Sequence, residues 1–150
     1  MEESVRRGAR GDATIVADLE RAARAALVDQ RGGIRLLEEQ PAVENWSEIL
    51  DDSRDDNGTV VFVGEIDGVV VGFLELRIAS ELAEVRQAYV DPEARELGLG
   101  DWLLEAATAV AVERGCDVLE GTALPGDRAT KNLYERAGIV ARKIIVSRQL

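Results

Sequence analysis

The stretch Tyr89-Val90-Asp91-Pro92-Glu93-Ala94-Arg95-Glu96-Leu97-Gly98-Leu99-Gly100 passes from a strand-like alternating segment directly into one of helical period. Arg95-x-x-Gly98-x-Gly100 puts two glycines where the backbone can pass close to a ligand. The first turn of the following helix offers N–H groups without intrahelical acceptors, at the positive end of the helix dipole. That is the chemistry of an anion site for phosphate or pyrophosphate, although the same two glycines also suit a plain tight turn. No third glycine completes a dinucleotide fingerprint, and no Gly-Lys-Ser/Thr completes a Walker loop. Proton transfer has to be managed without histidine, because the chain has none, and its one cysteine, Cys116, begins a strand and reads as a small hydrophobe. A zinc site, a Cys-His dyad and a Ser-His-Asp triad are excluded, no metal is expected, and carboxylates and tyrosine remain as proton carriers.

The elements that must position these residues follow from periodicity and turn chemistry. Ser4–Arg10 reads as a strand, and Asp12 as the N-cap of a helix to about Val28 with the stripe Ile15, Leu19, Ala22, Ala26. Ile34–Gln40 and a segment opened by Pro41, carrying Val43, Trp46, Ile49 and Leu50, form a second helical region. Thr59–Ile66 and Val69–Arg77 are strands joined at Asp67-Gly68, a pair that supplies the positive φ of a two-residue hairpin. Ala83–Val90 is a strand stopped by Asp91-Pro92. Leu99, Leu103, Ala106, Ala107 and Val110 mark a helix ending near Gly115. Asp117–Leu124 is a strand, Asp127 caps a helix over Thr130–Ala137, and Ile139–Arg148 is a last strand. The predicted order is β-α-α-β-β-β-α-β-α-β, an α/β (α+β) fold with a mixed, mostly antiparallel sheet flanked by helices, in one domain over residues 1–150. The hairpin-joined central strands disfavour a dinucleotide-binding parallel sheet.

The 150 residues are 46% hydrophobic and 31% charged, an ordinary balance for a globular domain. No apolar run approaches a membrane span, so a cytoplasmic protein with no membrane partner is expected. With 18 bases against 29 acids the net charge of −11 repels phosphate backbones, and no nucleic-acid partner is expected. Charge is uneven: Glu38–Asp56 holds eight acids and one base, whereas Asp127–Arg148 holds six bases and two acids.

Strand, Val-Asp-Pro-Glu-Ala-Arg, x-x-Gly-x-Gly, helix, strand, Pro-Gly-Asp and then Lys131-Asn132-Leu133-Tyr134-Glu135-Arg136-Ala137-Gly138 together resemble the GNAT superfamily of N-acetyltransferases. The resemblance runs through almost the whole chain and is densest over Glu84–Gly138. It implies a twisted sheet that splays between its fourth and fifth strands, with acetyl-CoA as cosubstrate in the gap. The residues it assigns to the cofactor are Tyr89, Val90, Arg95, Glu96, Leu97, Gly98, Leu99, Gly100 and Asp101, with Asn132 as a further hydrogen-bonding partner. Glu96 stands where the family often has glycine, Leu97 where it has a basic or polar residue, Asp127 where it often has asparagine, and Ile139 where phenylalanine is usual.

Under the same resemblance Tyr134 is the general acid that protonates the departing thiolate; the alternative is a core tyrosine bonded to a backbone carbonyl. Glu84 matches the position of a general-base glutamate, its alternative being a solvated carboxylate paired with Arg86. Glu75 and Glu120 are fallback bases. Strand alternation sets Glu84, Arg86 and Ala88 on one face and Val85, Gln87 and Tyr89 on the other. The implied activity is acetyl transfer to a primary amine of a small molecule or peptide, with a homodimer as a further association; the rival function is a non-catalytic acyl-CoA-binding sensor or regulatory module. The acidic run, on segments that flank the acceptor side in this family, favours a cationic amine.

Overall fold

The computed structural model describes residues 1–51 and 58–150. Five strands form one sheet in the order β1 (Glu3–Arg7), β2 (Thr59–Ile66), β3 (Val69–Ala79), β4 (Leu82–Val90) and β5 (Val118–Gly121). The first four are antiparallel to their neighbours and β5 is parallel to β4. The helices are α1 (Ala13–Leu27), α2 (Gly33–Glu39), α3 (Trp46–Ile49), α4 (Leu99–Glu113) and α5 (Arg128–Arg136), with 3₁₀ turns at Arg10–Asp12 and Pro92–Leu97. The mixed, mostly antiparallel sheet between helices agrees with the expected architecture. Asp67 and Gly68 have the positive φ angles (50° and 80°) that the hairpin required. Among the described residues no helix is long and apolar enough to cross a membrane.

Two apolar layers hold the sheet. On one face α4 packs Leu99, Leu103, Leu104 and Ala107 onto Phe62, Leu74, Leu76 and Val85. On the other, α1 and α3 bring Val16, Leu19 and Trp46 onto Val61, Val63 and Phe73, with Trp46 meeting Phe73 edge-on at 5.7 Å.

Several elements depart from the sequence expectation. Ile139–Arg148 is not a strand: it has no regular structure, and from Val140 onward it is exposed. Its β-branched residues describe a fit to a pleated, half-buried surface, and without a paired neighbour that propensity has nothing to act on. The Pro41 segment is irregular up to Asn45, whose side chain caps the short α3 by accepting from the Glu48 N–H at 3.4 Å. Asp12 sits at the N-cap of α1 but turns backward, accepting from the Ala9 N–H (2.8 Å) and pairing with Arg6 (2.8 Å). The Arg6 guanidinium holds the Asp12 carboxyl below the usual carboxylate range. On α1 the buried residues are Val16, Leu19 and Glu20, while Ala22 and Ala26 are exposed.

The alternation expected along β4 is also broken. Glu75 lies opposite Gln87 but Leu76 lies opposite Val85, which leaves Arg86 as an extra residue. One inserted residue exchanges the faces of everything beyond it. Ala83 and Val85 therefore point towards α4, while Gln87 and Tyr89 point towards α1.

Candidate functional site

β5 pairs with β4 only through Leu82–Val85 against Val118–Gly121. Past that point β4 continues to Val90 with β3 as its sheet partner, and the bulge at Arg86 marks where β4 and β5 part. A cleft of about 820 Å³ opens there and runs beneath α1–α3; its walls include Glu75, Gln87, Tyr89, Arg95, Asn132 and Tyr134. This is within the size range of sites that enclose a small molecule.

One end of the cleft is built from backbone. The Asp91 side chain accepts from the Glu93 N–H (2.9 Å) and starts the 3₁₀ turn, which ends at Gly98 with φ 82°. A side chain there would be strained whatever the space, yet a Cβ would meet nothing within 4 Å, so the backbone of that turn is uncovered, and the next turn reaches the cleft wall through Gly100 and Asp101. Gly100 differs: its Cβ would touch the Leu133 side chain at 3.6 Å. By helix geometry the N–H groups of Leu99, Gly100 and Asp101 have no intrahelical acceptor. Arg95 donates to the Val90 carbonyl (2.9 Å) with its guanidinium 5.3 Å from the Tyr89 ring centre, so it is fixed at the mouth. Asp101 pairs with Arg136 (3.0 Å), tying the start of α4 to the end of α5. Glu96 is exposed and Leu97 half-buried, while Asn132, also exposed, is on the wall. Among the described residues no group of three His, Cys, Asp or Glu could hold a metal ion.

Tyr134 enters from α5, which Asp127 caps by accepting from the Thr130 N–H (3.1 Å). The phenol is buried, and among the described residues its hydroxyl has no hydrogen-bond partner. Its ring belongs to the apolar cluster on the α4 face, as in the core alternative. Burial, and then the charges of Asp127 and Glu84, push its pKa up to about 12. The ring rests on Gly121, the last residue of β5, where any Cβ would overlap the phenol. Nothing local in the sequence marks Gly121, since the contact joins β5 to a helix that begins seven positions later.

The candidate bases separate in space. Glu84 is half-buried where β4 and β5 are still paired, opposite Arg77 on β3 and Glu120 on β5, and Glu120 is exposed. Glu75 lines the cleft and is only 6% exposed. Burial above all, with a smaller contribution from the charge of Glu20, raises its proton affinity; the Gln87 hydrogen bond, Arg86 and Arg77 oppose the rise. The Gln87 amide nitrogen donates to Glu75 Oε1 (2.9 Å) and to Glu20 Oε2 (2.8 Å). Glu20 also accepts from Trp46 Nε1 (3.1 Å) and the Val43 N–H (3.2 Å). Sequence reasoning missed Glu20 and Gln87. The available signal was a carboxylate at a core position of α1, one turn after Val16 and beside Leu19.

Of the acidic run, Glu44 and Glu48 line the cleft, Glu38 and Glu39 are exposed, and Asp51 faces Arg10 at 3.6 Å. Asp52, Asp55 and Asp56 lie outside the described residues.

Residues 20–139 match the acetyltransferase (GNAT) family. An uncharacterized N-acetyltransferase of Methanocaldococcus jannaschii is 28% identical over 99 residues, covering 61% of this chain and 43% of the relative, so the chain spans less than half of that protein's length. Among solved structures, an aminoglycoside acetyltransferase from an uncultured soil metagenomic sample, in complex with sisomicin, is similar with TM-score 0.69 and 20% identity over 99% of this chain and 95% of that one. AAC(6')-Iy bound to a CoA bisubstrate analog gives TM-score 0.69 at 16% identity over 100% and 99% of the chains. A ribosomal-protein-alanine N-acetyltransferase from Brucella melitensis gives TM-score 0.66 at 21% identity over 100% and 99%. At these identities the likeness is one of fold.

Proposed function

The chain belongs to the acetyltransferase (GNAT) family, and from that premise we propose that it transfers the acetyl group of acetyl-CoA to a primary amine of a small-molecule or peptide acceptor. The observation that carries this reading is the juxtaposition, on one cleft, of the first turn of α4, through Gly100 and Asp101, and of the buried Tyr134, whose hydroxyl has no hydrogen-bond partner among the described residues. The first suits a pyrophosphate and the second a leaving group that must gain a proton.

In this reading the N–H groups of Leu99, Gly100 and Asp101 hold the pyrophosphate, with Asn132 beside it and Arg95 latched at the mouth. The amine reaches the thioester carbonyl from the α1–α3 side. A carboxylate takes a proton from the incoming ammonium, the neutral nitrogen attacks, and the carbon–sulfur bond breaks. Tyr134 gives its proton to the departing sulfur and regains one from the nitrogen of the new amide. A phenol whose pKa is about 12 stays protonated throughout the physiological range. The desolvation that raises it acts in the same direction on a thiolate held in the same site. Glu84, whose charge reaches Tyr134, and Glu75 on the cleft wall are the candidate bases.

Glu96 is the departure that speaks for a non-catalytic module, and its exposure leaves it in high dielectric, where a charge pair at 4 Å is worth roughly 1 kcal/mol. Glu44 and Glu48 on the acceptor wall support a cationic amine. The test is thiol release from acetyl-CoA across a panel of amines, beside calorimetric titration with CoA. Amine-dependent thiol release is expected; CoA binding without turnover on any amine would favour the sensor reading, and absence of both would overturn the proposal.

A further inference from the structure

We propose that Glu75 is the residue that accepts the amine proton, and that Gln87 and Glu20 are positioning residues that hold it facing the acceptor; this rests on the acetyl-transfer reading above. The geometry carries the assignment. Gln87 sits just beyond the β4 bulge, which turns its side chain away from α4 and between two buried carboxylates. Both hydrogens of its amide nitrogen are used, one on Glu20 Oε2 and one on Glu75 Oε1. A flipped amide would put its carbonyl oxygen against two carboxylates, so its orientation is fixed. Glu20 is itself anchored from two further directions, by Trp46 of α3 and by the Val43 N–H. The network therefore holds one oxygen of Glu75 and leaves Oε2 without a partner among the described residues, on a residue that lines the cleft. Glu20 is not on the cleft wall, and its two oxygens already accept three hydrogen bonds, so it acts through Gln87 and through its charge.

The charged groups that act on Glu75 are Arg77 on its own strand, Arg86 on β4 and Glu20 on α1, while Tyr89 of β4, Glu48 of α3 and Arg24 of α1 share the cleft wall with it. Arg86 and Arg77 favour its charged form, whereas burial and Glu20 favour its protonated form. In the reaction the ammonium nitrogen of the acceptor loses a proton to Glu75 Oε2, the neutral amine attacks, and the proton then leaves through the cleft to solvent. A carboxylate with raised proton affinity is a better base for that purpose than an exposed one.

The experiment is the pH dependence of kcat/KM on the best amine of the panel for the wild type and for Glu75→Gln, Gln87→Leu, Glu20→Gln and Glu84→Gln. Glu75→Gln is expected to lower kcat about 10²-fold and to abolish the acidic limb, with CoA affinity by calorimetry unchanged. Gln87→Leu removes a hydrogen bond to the charged form and should move the limb up, by about one pH unit for a charge-assisted bond. Glu20→Gln removes a neighbouring negative charge and should move it down. Opposite displacements from two residues of one network are something a purely structural role would not produce. If Glu20→Gln fails to fold, the upward displacement in Gln87→Leu with retained CoA binding is sufficient support. If Glu84→Gln abolishes the limb while Glu75→Gln retains it, or if Gln87→Leu leaves the limb in place, the proposal is overturned. Absence of turnover in the wild type would instead strike the acetyl-transfer reading.

Discussion

The two ends of the cleft are made of different materials. At the strand–helix junction the site is built from main-chain N–H groups, one left-handed glycine and a helix dipole, with side chains such as Arg95 and Asp101 tied to partners of their own. At the other end it is built from side chains gathered from α1, α3, β3 and β4, joined through a single amide at Gln87. Backbone recognition tolerates most substitutions as long as the turn survives, since every residue but proline has an N–H. A side-chain network between buried carboxylates tolerates few, because each lost partner leaves a buried polar group unmet. The first arrangement suits a ligand that never varies and the second a ligand that must be distinguished from others.

The contrast can be broken hardest where the two ends meet, at Tyr134. Gly121→Leu should displace the phenol and lower kcat by more than Tyr134→Phe, which removes only the hydroxyl and is expected to cost about 10²-fold with CoA affinity preserved. Retained turnover in either variant would leave Tyr134 with a packing role alone. Next, Gly98→Glu should weaken CoA binding severely, as it forces a side chain into φ 82° and into the approach to the N–H groups; Arg95→Ala should do less, because Arg95 is bonded within the protein. Equal losses in the two would mean that side chains, not backbone, hold the anion.

A smaller effect is expected from salt. If Glu44 and Glu48 steer a cationic acceptor, KM for that amine should rise with ionic strength while CoA kinetics change less, because exposed charges are screened beyond about 8 Å at physiological salt. The smallest effect is thermodynamic and sharpens the side-chain end. The folded pKa of Glu75 is raised, so its contribution to stability is greatest at low pH and is lost as pH rises through that value. Glu75→Gln should therefore match or exceed the wild-type Tm increasingly as pH climbs above the ordinary carboxylate range, even as it loses activity. A variant equally destabilised at every pH would show Glu75 to be a structural carboxylate.

The backbone end was legible in the sequence because its determinants are contiguous: Asp91-Pro92, Gly98 and the α4 stripe act within a few residues of one another, and turn and capping chemistry are local. The same holds for the Asp67-Gly68 hairpin and the Asp127 cap. Strand alternation along β4 misled because a bulge at Arg86 is a property of pairing with β3, which no single strand specifies. Ile139–Arg148 misled for the complementary reason, having the residues of a strand and no neighbour to pair with. Only the tertiary structure decided that Gly121 must be bare for Tyr134 to lie on it, and that a carboxylate one turn beyond Val16 would share an amide with one on β3. Those contacts span 13, 67 and 12 positions, too far for local preference to act, and they exist because the sheet face and the helices across it are packed together.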